Sequence, residues 1–206
     1  MNYMNAWLHF KKICNHKYWV LHYCRMCGIT WRGIKHDLSK FHPTEFFESV
    51  KYYKGNSSPI DECKRINGVS YAWMHHKRYN DHHYETWIDN VDKGGTPIRM
   101  PLKCSIEMLC DYLGAGRAYF GYSFTYVGEL KWFINKLNNN PAMHPTNKKF
   151  IYFVLCELSK CGQNPHPWCL NYKCLEKIYQ KAKNTSDEEF ASYRRIVERE
   201  LEKRGV

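Results

Sequence analysis

No stretch of this 206-residue chain approaches the roughly 18 consecutive apolar residues that a membrane-spanning helix needs. The opening MNYMNAWLHFKKICNHKYW lacks the apolar centre of a secretory leader, because lysines and histidines interrupt it. There is no second C-x-x-C to partner Cys24 and Cys27, so the ten cysteines do not show zinc-ribbon spacing. They are expected to be reduced thiols, most of them packed in helices as small hydrophobes. A cytoplasmic protein with no membrane partner is expected. Alternating strand patterns, internal repeats and low-complexity segments are also missing. Acidic charge is scarce: 20 Asp and Glu face 31 Lys and Arg, for a net +11. Such an excess favours anionic partners, namely phosphates, nucleotides or nucleic acid.

What is present is helical periodicity and a large apolar fraction. Hydrophobic residues are 44% and aromatics 16% of the chain, which excludes a disordered protein and suffices for a real core. The pattern predicts a first helix from about Asn5 to Cys27, closed near Gly28. WRGIKHDLSKF reads as a second helix, ending by Phe41. HPTEFFESVKYY reads as a third, with Pro43 in its first turn and Glu45 near its positive end. KGNSSP reads as a loop, GVSYAWMHHKRY as helical, and Asn80-Asp81 as a turn or helix break. After the DKGGTPIRMP loop, a long helix spans Leu102 to Phe120, with small residues Gly114, Ala115 and Gly116 inside it. Helical stretches follow at about 126–138, 147–161 and 168–183. The last helix, Asp187 to Lys203, has Ser186 as its cap. The expected fold class is an all-α bundle.

Ligand-type side chains recur along these helices. His16 lies in the first, His36 and Asp37 are adjacent in the second, and Asp111 sits among Met108, Leu109 and Leu113. A buried carboxylate needs a partner, and a metal ion is one. Four histidines fall within nine positions, as His75-His76 and His82-His83. Residues seven apart on a straight helix are separated by about 10.5 Å along its axis. Either the chain turns at Asn80-Asp81, or the two pairs serve different purposes. The preferred reading makes His75 and His76 metal ligands. Asn80, His82 and His83 then become substrate contacts, with the two histidines as alternative ligands of a second ion. Imidazole and carboxylate suit divalent Mn, Fe, Ni or Zn, and Mg is admissible. One or two such ions are expected. Lys40 and Arg117, following Asp37 and Asp111, are candidates to hold phosphate oxygens. His9, His22, His42, His144 and His166 are assigned to structure or surface.

This order of His16, His36-Asp37, the histidines near 75 and Asp111 resembles the HD-domain metal-dependent phosphohydrolase superfamily. The closer likeness is to the HD-GYP phosphodiesterase branch. Its HD-x-G-K looks like HDLSK here, with Ser39 for glycine. Its HHE looks like His75-His76-Lys77. Its D-x-x-D-A-x-x-x-R-x-Y resembles Asp111 to Tyr119, matching Arg117 and Tyr119 but with Gly114 for the second Asp. The glycine-tyrosine-proline signature is missing, which argues against cyclic di-GMP as the substrate. The combination of HDLSKF with HH-x-x-x-N-x-HH also looks like an uncharacterised family of small phage and bacterial proteins. That likeness covers roughly residues 9 to 125.

The resemblance implies an HD-like metal-binding helical core over 1–125, with 126–206 as a helical extension packed on it. It implies a phosphohydrolase or phosphodiesterase using metal-activated water on a nucleotide or other phosphorylated small molecule. Asp37, Lys40 and Arg117 would be its catalytic residues. Two rivals stand beside it. One is an HD-fold di-iron oxygenase, which takes the same ligand types. The other is a basic helical module that binds nucleic acid without catalysis, against which stands the concentration of ligand-type residues on one helix.

Overall fold

The computed structural model describes residues 3–139, 142–162 and 166–203. The fold is all-α. Among the described residues the only sheet is a two-residue antiparallel ladder, β1 (Ile88–Asp89) on β2 (Thr96–Pro97). No helix of the described residues is long and apolar enough to cross a membrane.

Helix α1 (Tyr3–Met26) buries His9, Ile13, His16, Val20, Tyr23 and Cys24. These lie three or four apart, the spacing of a helix packed along one stripe. Helix α2 (Thr30–Lys35) lies close on α1 because Gly33 has no side chain: a Cβ there would sit 2.6 Å from Cys24 Cβ. Helix α6 (Leu102–Phe120) runs against α1 at Gly114, where a Cβ would meet Val20 Cγ2 at 2.5 Å. That glycine sets the approach of the two helices. It brings Asp111, one turn before it on α6, opposite His16, one turn before Val20 on α1.

The second wall of the site is α3 (Pro43–Lys51) against α5 (Tyr71–Tyr79). His42 caps α3, its Nδ1 accepting from Thr44 N at 3.3 Å, and Ser70 caps α5, its Oγ accepting from Trp73 N at 3.0 Å. Between them lies α4 (Pro59–Asn67), a helix in a segment to which the periodicity assigned nothing. Its signals are nonetheless present in local form. Ser58 caps it, Pro59 occupies its first turn, and Gly68 closes it at φ +75°. Nine residues are too few for a clear apolar stripe.

The C-terminal elements are α7 (Tyr126–Asn139), α8 (Pro145–Ser159), α9 (Tyr172–Asn184) and α10 (Asp187–Lys203). Helix α9 starts at Tyr172 and not near 168, because Asn171 caps it by accepting from Cys174 N at 3.0 Å. One core cluster, including Val20, Met108, Leu130, Phe150, Leu175 and Leu201, runs through both the N-terminal and C-terminal helices. All ten cysteines are free thiols and most are buried.

Candidate metal centre

His36 and Asp37 do not continue a helix. Helix α2 stops at Lys35, and Asp37 takes a left-handed backbone with φ 54° and ψ 25° before a 3-10 turn over Leu38–Phe41. Asp visits that region more readily than most residues, but it still costs on the order of 1 kcal/mol or more. The kink buries the Asp37 carboxylate, which is 1% exposed.

The two Asp37 oxygens face different neighbours. Oδ2 lies 3.5 Å from His16 Nε2 and 3.2 Å from His36 Nε2. Asp111 Oδ1 completes that side, 3.1 Å from His16 Nε2 and 3.5 Å from His36 Nε2. Oδ1 of Asp37 lies 3.2 Å from His76 Nε2 and 3.6 Å from His82 Nε2. His83 Nε2 is 2.9 Å from His76 Nε2 on that second side. Two ligand groups therefore share Asp37: His16, His36, Asp37 and Asp111, and Asp37, His76, His82 and His83. Ligand atoms held at about 2.0–2.2 Å from one tetrahedral or octahedral ion lie roughly 2.8–3.6 Å apart, and the separations here match. Both Asp37 oxygens and His82 Nε2 are buried without a hydrogen bond of ordinary geometry, although the Lys40 ammonium lies beside Oδ2. Atoms so placed fit a cation better than they fit one another.

The far side of the rings explains why the Nε2 atoms converge. Glu107 Oε1 takes His36 Nδ1 at 2.9 Å and His82 Nδ1 at 3.2 Å. Glu45 Oε2 takes His76 Nδ1 at 2.7 Å. A carboxylate on Nδ1 fixes the proton there and leaves the Nε2 lone pair for a metal. The His36, His82 and Glu107 grouping is thus an outer hydrogen-bonded ring. Arg32 anchors Glu107 and also pairs with Asp81. Lys17 donates to the His36 carbonyl.

Charge keeps the inner carboxylates ionised. Burial alone would raise the Asp37 pKa, but His36, Lys40 and His76 hold it well below the usual range. Asp111 is likewise pulled well down against its burial, by His16 and His36. Burial would also raise Glu107, yet the hydrogen bonds from His36 and His82 bring it down to about 2. Burial opposes the imidazolium forms of His36 and His76, but Asp37 and the outer carboxylates outweigh it and raise both. Burial, with His82 beside it, lowers His83 well below its ordinary value. A divalent cation held there would have to displace the protons from the Nε2 atoms of His36 and His76.

The structure brings together His16, His36, Asp37, His76 and Asp111 from the expected set, and joins His82 and His83 to them. The chain does turn: α5 ends at Tyr79, Asn80 is extended, and His82 and His83 fold back on His76. Lys40 also arrives, its Nζ 2.6 Å from Asp37 Oδ2. Three expectations are corrected. His75 is about 100° around α5 from His76, and its Nδ1 pairs with Glu45 Oε1 at 2.6 Å while its ring stacks on His42. Arg117 faces away from Asp111; it bonds Tyr23 Oη at 3.1 Å and lies over the Trp19 and Phe124 rings. Asn80 is buried and donates to Ser39 Oγ at 2.8 Å and to the His76 carbonyl at 2.7 Å, so it braces the turn. Glu45 and Glu107 were not singled out as site residues. In the sequence Glu45 carries only the signal of a charge at a helix start. Glu107 carried a signal that could have found it, a lone carboxylate one turn before Asp111 within an apolar run.

Fold and site together define an all-α protein with a buried His-Asp cluster able to hold metal. The chain belongs to a family of unknown function (DUF5662), whose profile matches residues 5–157 and so covers every residue of the cluster. No curated protein and no solved structure matches the chain.

Proposed function

We propose that this protein is a dinuclear, divalent-metal phosphohydrolase acting on a nucleotide or similar phosphate ester. The observation that carries the reading is the division of Asp37, one oxygen toward each ligand group, with Lys40 beside it. The cluster's resemblance to HD-domain phosphohydrolases agrees with it. Divalent ions in such a site supply an acidified water and Lewis acidity toward a phosphoryl oxygen.

The chain's own groups do the rest. His16, His36 and Asp111 would hold one ion, His76, His82 and His83 the other, and Asp37 would touch both. Glu107 and Glu45 keep the imidazoles oriented. Lys40 is partly exposed, and although burial would lower its pKa, Asp37 and Asp111 raise it. It is a charged ammonium at neutral pH, so it cannot itself bind a metal; an ion on Asp37 would compete for the carboxylate it now pairs with and let it turn to a phosphate oxygen. That cation favours a phosphate ester over the di-iron oxygenase reading, which shares the ligand set but has no need of an anion clamp.

The test is elemental analysis of protein purified without chelator, followed by a nucleotide and aryl-phosphate hydrolysis screen with Mn, Mg, Ni and Fe. Lys40→Met should retain its metal and lose about a hundred- to thousandfold in turnover, the usual cost of one transition-state donor. Wild-type turnover in Lys40→Met would refute the clamp. Absence of hydrolysis with every metal would refute the reading.

A further inference from the structure

Asp111 is the most open carboxylate of the inner cluster, its side chain 14% exposed, and it borders a cavity of about 880 Å³. The cavity runs from Asp111 and His83 outward between α6 and α7 on one side and α4 and α5 on the other. Its walls include the more open Trp73 and Trp132 and the buried Tyr112 and Phe124, with Lys136 and Lys64 among them, the latter over one face of Trp73 at 4.4 Å. In it stands a group the proposed chemistry does not use. Glu129, on α7, lines the cavity and is 7% exposed. Among the described residues its carboxyl has no hydrogen-bond or ion-pair partner. Lys136, on the same helix, lies over the Tyr112 and Trp132 rings at 4.9 and 5.1 Å and reaches Glu129 only through its charge.

Space has been made for this carboxyl. A Cβ on Gly116 would fall 2.5 Å from Glu129 Oε2 and 2.6 Å from the Phe124 ring, so any larger residue would have to displace the carboxyl and the ring. Gly116 is five residues beyond Asp111, about 7.5 Å along the α6 axis. A lone carboxyl in apolar surroundings takes its neutral form, with one donor and one acceptor side by side. Burial, reinforced by the Asp111 charge and opposed by Lys136, pushes its pKa up to about 8, in agreement.

We propose that this cavity is a nucleobase pocket, in which the Trp73 and Trp132 rings take the base faces and the Glu129 carboxyl pairs with the base edge. Every common base offers a donor beside an acceptor on that edge, which the neutral acid complements. Stacking supplies affinity without choosing a base, and the carboxyl supplies the polar anchor. The placement rests on the phosphohydrolase reading in one respect: it puts the phosphate of the same ligand at the metal cluster. The base-binding half does not depend on that chemistry.

The experiment therefore uses nucleosides, which carry no phosphate. Adenosine, guanosine, cytidine and thymidine are titrated into the full chain, read by tryptophan quenching and by equilibrium dialysis. At least one should bind saturably. Glu129→Gln retains a donor and an acceptor in the same shape and should bind that nucleoside within about threefold of wild type. Glu129→Leu leaves the base edge unpaired and should weaken it about 5- to 150-fold. Circular dichroism and metal content check that both variants are folded. Gly116→Ala, which drives a methyl into the carboxyl, should weaken binding as well.

No binding of any of the four nucleosides would overturn the pocket. Wild-type affinity in Glu129→Leu, or equal loss in Glu129→Gln and Glu129→Leu, would overturn the role of the neutral carboxyl. Nucleoside binding that depends on Glu129, without hydrolysis of any phosphate ester, would sink only the proposed function. Hydrolysis without nucleoside binding would sink only the pocket.

Discussion

Replacing Glu107 with Gln changes one atom and should disturb both halves of the cluster. Its Oε1 receives His36 from one ligand group and His82 from the other, at 2.9 and 3.2 Å, while Oε2 pairs with Arg32. A glutamine must choose. If its amide nitrogen faces Arg32, two donors oppose each other. If it faces the imidazoles, both rings must accept at Nδ1, which moves their protons to Nε2. Nε2 is the atom aimed at Asp37, so its lone pair is lost to a metal. Outer partners of this type are worth about 10- to 100-fold in metal affinity, or roughly 1.4 to 2.7 kcal/mol. The assay is a competition titration with Mn or Zn against a chelating dye, resolving two binding events. Both should weaken in Glu107→Gln. Glu45→Gln is the internal control, since Glu45 holds His76 and not His16 or His36; it should weaken one event and spare the other. Unchanged affinity for both ions in Glu107→Gln would refute the orientation argument.

Arg117→Met should leave turnover on any hydrolysed phosphate ester unchanged, since the guanidinium is occupied by Tyr23 and aromatic rings. It should lower stability in urea by about 1 to 2 kcal/mol, through the lost hydrogen bond and cation–π contacts. A collapse in turnover at unchanged stability would return Arg117 to the site. Gly114→Val should force α1 and α6 apart at Val20, at a cost of about 1 to 3 kcal/mol. Because His16 and Asp111 ride on those two helices, metal binding at that group should fall more than at the His76 group. Equal loss at both would show that Gly114 does not set the His16–Asp111 approach.

Helix positions were largely legible because α1, α6, α7 and α10 are long enough to display an apolar stripe or a clear cap. Helix α4 was not, since its boundaries rest on Ser58, Pro59 and Gly68 and not on periodicity. In the site, residue type and spacing pointed to His16, His36, Asp37, His76 and Asp111. The choice between His75 and His76 was not readable, because adjacent helical residues differ only in which way they face. The return of His82 and His83 depended on where α5 stops, and Asn80 decides that by bonding Ser39 and the His76 carbonyl. Arg117 matched a spacing, but its direction is set by an aromatic cluster contributed from α1 and the start of α7. Glu45 and Glu107 escaped because outer hydrogen-bond partners have no fixed sequence distance from the rings they orient.

The central claim is that Asp37 is shared by two metal ions. Metal stoichiometry of protein purified without chelator, by elemental analysis beside the Asp37→Asn variant, tests it most directly. Two divalent ions per chain are expected in the wild type. An amide keeps the shape but removes the charge and one acceptor, so Asp37→Asn should lose both ions while circular dichroism stays helical. Full occupancy in Asp37→Asn, or a wild-type chain that takes up no divalent ion, would contradict the account.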